Sequence, residues 1–372
     1  MTQERVVDRA SARRFVNEHI VPVADAYDRD GRVPEELLAQ VSMAHLWAPF
    51  LPTDVGGSDV SYQALGDIHE EVGRGCSSLR SLLTVHSMVA WAVNRWGCPE
   101  LRELWLPRLA SGKALGAVCI AEPEAGSDTR RLSTSAKRTS NGWRINGTKT
   151  WITGGQRADV FLVFAQTDYT LAAFFVPRGT PGVEVEPIRE ILGTRASMLA
   201  TVRLQDVDVG REALVGPDSS LPGMVLTGML DIGRFSVAAG CVGIVQACLD
   251  ACASYTSHRT VNGTPLRELQ LIRAKISNMV TDVTAARLLV ERAGRLKDAG
   301  DPETIMATWI AKYFASVAAA RHASEAVQIH GGNGLGPHYP VGRFYRDAKV
   351  MEIIEGSTEL QQLMIANSAY QK

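Results

Sequence analysis

Three places in the sequence hold groups suited to chemistry. Glu355 follows an apolar run and precedes Gly356-Ser357-Thr358-Glu359, where a helix is set to begin. A carboxylate at a helix start is favoured by the dipole, and the neighbouring glycine lets backbone come close to another group. Gly331, Gly332, Gly334 and Gly336 form a cluster whose backbone N–H groups can face a pyrophosphate, with a plain helix-to-helix turn as the alternative. Their spacing is not GxGxxG and a helical pattern precedes them, so a Rossmann loop is rejected. Arg80 lies in the helical stretch Cys76-Ser77-Ser78-Leu79-Arg80-Ser81-Leu82-Leu83-Thr84. A guanidinium buried without a partner is costly, so an inward-facing Arg80 calls for an anionic or strongly polar ligand, and an outward-facing one calls for nothing.

Other chemistries are absent from the pattern. No HExxH, Walker A, GxSxG or kinase signature occurs, and the eight histidines are scattered, so no metal site is expected. The six cysteines form no CxxC pair. Cys241, Cys248 and Cys252 fall on one helical face, which reads as core packing.

The elements that must position these groups fall into three regimes. The chain has 372 residues, 45% hydrophobic and 21% charged, enough apolar material for two or three domains. Helical periodicity marks residues 15–26, 35–44 and 79–93, separated by Gly and Pro clusters. The period then changes to two, with β-branched and aromatic residues at 134–139, 143–145, 160–166, 171–176, 183–186 and 200–204. Asn141-Gly142 and Asn146-Gly147 supply residues suited to tight hairpin turns. Four long helical patterns follow, at 224–255, 265–297, 302–329 and 343–368. The expected fold is α+β and multidomain: an N-terminal helical domain (1–112), a middle β domain (113–219) and a C-terminal four-helix bundle (220–372).

Charge and hydropathy narrow the partners. Thirty-nine Lys and Arg against 40 Asp and Glu give a net charge of -1, so no global field would draw nucleic acid or an anionic membrane. No run approaches the roughly 18 uninterrupted apolar residues of a membrane span. Acidic residues alternate with the early arginines, unlike a transit or signal peptide, and a cytoplasmic address is the expectation.

Ala121-Glu122-Pro123-Glu124-Ala125-Gly126-Ser127-Asp128, Asn146-Gly147-Thr148-Lys149-Thr150-Trp151-Ile152-Thr153-Gly154 and Ile354-Glu355-Gly356-Ser357-Thr358-Glu359 occur in order. Together they resemble the acyl-CoA dehydrogenase family, over nearly the whole chain. The resemblance implies noncovalent FAD, and a base that removes the α-proton of an acyl thioester while the β-carbon delivers hydride to flavin N5. Such a base works best as a carboxylate in a dry pocket, where its pKa rises toward neutrality. The resemblance places that base at Glu355. Some members carry it instead on the first bundle helix, one residue before an arginine; here that position is Gly233, before Arg234.

The same resemblance assigns the flavin contacts. Trp151 and Thr153 match the residues that cover the ring and its N5 edge, and Ser127 matches a phosphate contact. Ala121 stands where threonine is usual and Glu124 where glycine is usual. Arg259 and Gln270 match a pair that reaches the FAD diphosphate and adenosine from a neighbouring subunit, with Asn262-Gly263 in place of the usual Phe-Gly. Gln328, Gly331 and Gly332 match the loop on the cofactor's other side. Sharing FAD between chains implies a homo-oligomer, a dimer or commonly a tetramer.

For the substrate, Arg80 falls where glutaryl-CoA dehydrogenases carry an arginine for a distal carboxylate, and Asp231 and Arg234 match positions near the phosphopantetheine arm. Residues 76–81, 240–244 and 345–357 are similar to a secondary-metabolic branch acting on acyl carrier protein thioesters, such as those of hydroxymalonyl and methoxymalonyl polyketide extender units. The expectation is therefore a dehydrogenase of a small polar acyl group on a carrier protein, with a short-chain or dicarboxylyl acyl-CoA dehydrogenase as the alternative. A catalytically silent member or an oxygen-using flavoenzyme stays open on the same scaffold. So does the electron acceptor, an electron-transfer flavoprotein or oxygen.

Overall fold

The computed structural model describes residues 5–216 and 223–370. The expected boundary at 219/220 lies outside the described residues. Six helices come first: α1 (Arg9–Phe15), α2 (Ala24–Asp30), α3 (Glu35–Met43), α4 (Tyr62–Gly75), α5 (Ser77–Trp96) and α6 (Pro99–Ala110). Local chemistry starts them. Asp8 accepts from the Ser11 N–H at 2.8 Å to cap α1, and Ser61 accepts from the Ala64 N–H at 3.1 Å to cap α4. A π-helical segment, Val16–Ile20, extends α1, so the predicted single helix at 15–26 is interrupted before α2.

Eight strands form one sheet in the order β6-β7-β3-β2-β4-β5-β8, with β1 added beside β4. They are β1 (Gly116–Cys119), β2 (Ser135–Arg138), β3 (Gly142–Ile152), β4 (Val160–Gln166), β5 (Leu171–Pro177), β6 (Val183–Pro187), β7 (Ala200–Gly210) and β8 (Leu214–Val215). Ser140 and Asn141 make the β2–β3 turn, but Gly142 already belongs to β3 and neither Asn141 nor Gly142 takes a positive φ, so the turn is not built on the Asn-Gly dipeptide. Asn146-Gly147 does not make a turn. It lies inside β3, where the register against β7 shifts between Ile145 and Gly147, and a Cβ on Gly147 would overlap Thr134. Gly147 has φ +154°, a backbone that suits glycine, and it serves a bulge in place of the expected turn.

The bundle consists of α7 (Met224–His258), α8 (Gln270–Asp298), α9 (Thr304–His330), α10 (Val341–Met351) and α11 (Thr358–Tyr370). The helical pattern over 343–368 is therefore two helices, separated at residues 352–357, and the second begins just beyond Glu355, where its motif suggests a helix start. α7 is long and apolar enough by composition to cross a bilayer, but 78% of its apolar window is buried by surrounding elements. It is the central helix of the bundle. Cys241, Cys248 and Cys252 are fully buried there, as core residues. Gly240 and Gly243 let α7 approach α4: Cβ atoms at Gly73 and Gly243 would meet Gly240 and Glu70 backbone. Close helix crossing is thus one reason this part of the sequence is glycine-rich.

Candidate active site

A cavity of about 580 Å³ opens where all three regions meet. α5 supplies Arg80 and Thr84, the β region supplies Ser127, Trp151 and Thr153, and α7 supplies Arg234. The link between α10 and α11 supplies Glu355 and Gly356. Six of the twelve site residues read from the sequence therefore share one wall-to-wall space: Arg80, Ser127, Trp151, Thr153, Arg234 and Glu355.

Glu355 owes its position to an unusual backbone. Its φ is +56° and that of Gly356 is +94°, so the chain breaks out of helix here and aims the carboxyl inward. A non-glycine residue in this conformation is strained, and the surroundings hold it. Arg234 Nε donates to the Glu355 carbonyl at 3.1 Å, and Lys312 Nζ donates to the Gly356 carbonyl at 2.7 Å. Gln361 Nε2 donates to the same two carbonyls at 3.3 and 3.2 Å. Arg234 is in turn stacked over the Trp309 ring at 4.0 Å.

The carboxylate itself is left free. Glu355 Oε2 is buried and has no hydrogen-bond partner. Burial raises its pKa, opposed by the charges of Arg234, Lys312 and Arg80. Lys312, buried, is itself pushed down to about 8. This lysine was not singled out from the sequence. The available signal was a lone cation among Ala307, Ala311 and Ala315 on a buried helical face.

Gly233 explains why the Glu355 carboxyl can sit here. A Cβ at residue 233 would collide with Glu355 Oε2. A side chain on α7 and the Glu355 carboxyl thus compete for one space, and this chain gives it to Glu355. Gly233→Ala is expected to displace the carboxylate and slow turnover about 100-fold with flavin content unchanged. Single-turnover flavin reduction on the purified variant checks this, and a rate equal to the parent's refutes it.

On the opposite wall Trp151 has φ +59° and leaves 60% of its surface exposed. A strained, uncovered indole beside a cavity is a surface prepared for a flat ligand. Two residues earlier on β3, Lys149 forms a buried ion pair with Glu122 at 2.7 Å. Burial pushes Glu122 up, but Lys149, Thr134 and Ser133 outweigh it and hold the carboxyl at about 2. The pair ties the end of β1 to β3, fixing the loop that carries Ser127. The sequence reading gave neither residue a role, because they are 27 positions apart and only the sheet joins them.

The remaining predicted residues lie elsewhere. Asp231 ion-pairs with Lys297 and does not line the cavity. Arg259, Gln270, Gln328, Gly331 and Gly332 are exposed at the far end of the bundle. They share that end because Tyr255 stacks on His330 at 4.2 Å and accepts from Asn333 at 2.9 Å, joining the C-termini of α7 and α9. Nothing would obstruct a Cβ at Gly331 or Gly332, so the backbone there is open to a ligand.

The chain matches three family descriptions in order: "Acyl-CoA dehydrogenase, N-terminal domain" over residues 2–113, "middle domain" over 117–207 and "C-terminal domain" over 223–370. It belongs to the acyl-CoA dehydrogenase family. It is 35% identical to the mitochondrial short-chain specific acyl-CoA dehydrogenase of Rattus norvegicus, over 96% of this chain and 88% of that protein. A glutaryl-CoA dehydrogenase from Mycobacterium smegmatis, solved with FADH2, superposes with a TM-score of 0.93 at 30% identity, covering 98% and 94% of the two chains. FkbI, a protein for biosynthesis of the methoxymalonyl extender unit of the FK520 polyketide, superposes at 0.89 with 34% identity, covering 98% and 99%. The chain is an FAD-dependent oxidoreductase acting on acyl thioesters. The open Trp151 face, with Thr153 and Ser127 beside it, fits the flavin that this chemistry requires.

Proposed function

We propose that this acyl-CoA dehydrogenase oxidises a short acyl thioester whose far end is anionic or strongly polar, with Glu355 as the base and Arg80 as the group that recognises that end. The observation that carries the proposal is the state of Arg80. It is 1% exposed, lines the same cavity as Glu355, and has no carboxylate within ion-pair distance among the described residues. Its hydrogen bonds go to neutral acceptors: Thr84 Oγ1 at 2.9 Å, Ser81 Oγ at 3.0 Å and Met351 Sδ at 3.0 Å. Burial lowers its pKa, yet a guanidinium keeps its proton. A buried positive charge that no carboxylate pairs at contact distance, beside a substrate cavity, favours a substrate that brings the negative charge.

Each residue then has a task. FAD, when bound, supplies the acceptor for the hydride leaving the β-carbon. Trp151 and Thr153 would hold its ring end, and Ser127 would contact its phosphate. Glu355 Oε2 takes the α-proton, and the low-dielectric surroundings that raise its pKa help it keep that proton. Arg234, Lys312 and Gln361 hold the Glu355–Gly356 carbonyls so that the carboxyl cannot swing away.

FAD contact by both predicted sets requires two copies of the chain. Arg234 and Arg259 are 25 residues apart on α7, about 37 Å at 1.5 Å per residue. That is too far for one copy to supply both sets, so Arg259 and Gln270 of one copy would reach the diphosphate and adenosine of a cofactor whose ring end another copy holds, which supports a homo-oligomer.

A carrier-protein tether is a second reading, favoured by the likeness to FkbI. An anaerobic titration separates the cases, with a thioester ending in carboxylate and a methyl-ended counterpart, each on CoA and on an acyl carrier protein. Flavin bleaching by the carboxylate-ended thioesters is the expected result, and equal bleaching by both acyl groups overturns the role of Arg80. Bleaching only on the carrier protein supports the second reading.

A further inference from the structure

Arg80 is anchored from behind. Arg80 Nη1 donates to Thr84 Oγ1, which lies 2.6 Å from Ser236 Oγ, and Ser236 Oγ lies 2.7 Å from His69 Nδ1. The four residues belong to α5, α7 and α4, and all are buried. The reaction described above uses none of the last three.

Donor counting gives this chain a direction. Thr84 Oγ1 also bonds the Arg80 carbonyl at 2.8 Å, one turn back, and a hydroxyl has a single proton. Thr84 therefore donates to that carbonyl and accepts from both Arg80 and Ser236. Ser236 then accepts from His69, which must carry its proton on Nδ1. Burial and the nearby Arg80 charge push His69 down to about 3, so the imidazole is neutral. The relay fixes the guanidinium without neutralising it.

Gly240 completes the arrangement. It lies one turn beyond Ser236 on α7, on the same face. A Cβ there would sit 2.8 Å from both Cδ and Nε of Arg80. One α7 residue thus holds the chain that orients Arg80, and the next turn leaves room for its stem.

We propose that Ser236, His69 and Gly240 are positioning residues for acyl-end specificity, fixing the Arg80 guanidinium in the cavity with its charge available to the substrate. The proposal rests on the reading of Arg80 given above. Ser236→Ala, made in the FAD-loaded full chain, is expected to reduce the kcat/KM preference for a carboxylate-ended thioester over a methyl-ended one about tenfold. The loss should fall on KM for the charged substrate. Gly240→Ala should act in the same direction by pushing the guanidinium aside. An unchanged preference in Ser236→Ala, or equal losses on both substrates, overturns the inference. Arg80→Met run in parallel keeps the two ideas separate. If Arg80→Met loses the preference and Ser236→Ala keeps it, the relay alone is wrong; if Arg80→Met keeps it, the role of Arg80 is wrong.

Discussion

Glu355→Gln is expected to lower the rate of flavin reduction by substrate roughly 1,000-fold, within the range that positioned acid–base groups contribute. The amide has the same shape and cannot take the α-proton. Its backbone is held by Arg234, Lys312 and Gln361 through carbonyls that the substitution leaves alone. Fold and FAD content should therefore survive, which separates a chemical loss from a structural one. Rapid-mixing measurement of the flavin band decides it, and reduction at the parent rate would remove Glu355 as the base.

The same carboxyl should set the acid limb of the pH profile. A base works only when ionised, so kcat/KM rises as pH passes upward through its pKa. Burial raises that pKa, and the limb should lie above the usual carboxylate range. Lys312 favours the ionised form, so Lys312→Met should move the limb to higher pH. A limb that stays in place, or moves down, would show that Lys312 does not act on Glu355.

Arg80→Met is expected to have two effects of opposite sign. Activity on carboxylate-ended thioesters should fall about 100-fold or more, because removing one partner of a desolvated charge pair costs about 2–5 kcal/mol. Stability of the ligand-free protein should rise. Arg80 is buried with no ion-paired carboxylate, so an apolar side chain of similar volume removes a desolvation cost that no partner offsets. Its Thr84 neighbour keeps the Ser236 contact and the Arg80 carbonyl bond, so few polar atoms are orphaned. Activity assays paired with thermal unfolding test both arms. A lower Tm together with undiminished activity would mean that Arg80 is a structural residue.

Much of this protein could be read along the chain. The change from helical to alternating periodicity near residue 115 and back near 223 reports local burial, and local burial is what periodicity encodes. Residues of the motifs around Trp151 and Glu355 line one cavity. What the sequence could not decide were the pairings between distant residues. Asn146-Gly147 looks the same whether it ends a hairpin or bulges a strand, because glycine serves either backbone and only the pairing with β7 decides between them. The break at residues 352–357 interrupts a pattern that reads as one helix; only contacts from α7, α9 and α11 hold Glu355 at positive φ.

Asp231 and Arg80 show the same limit for charge. Both are ionisable residues on largely apolar helices, and their types alone do not tell them apart. Lys297 reaches Asp231 and neutralises it, whereas no carboxylate reaches Arg80. Sequence determined the elements and the residue types available to the site. Tertiary packing decided which charges found partners within the protein and which were left facing the cavity, because that depends on how α5 and α7 cross, and the glycines at 233 and 240 act only across that crossing.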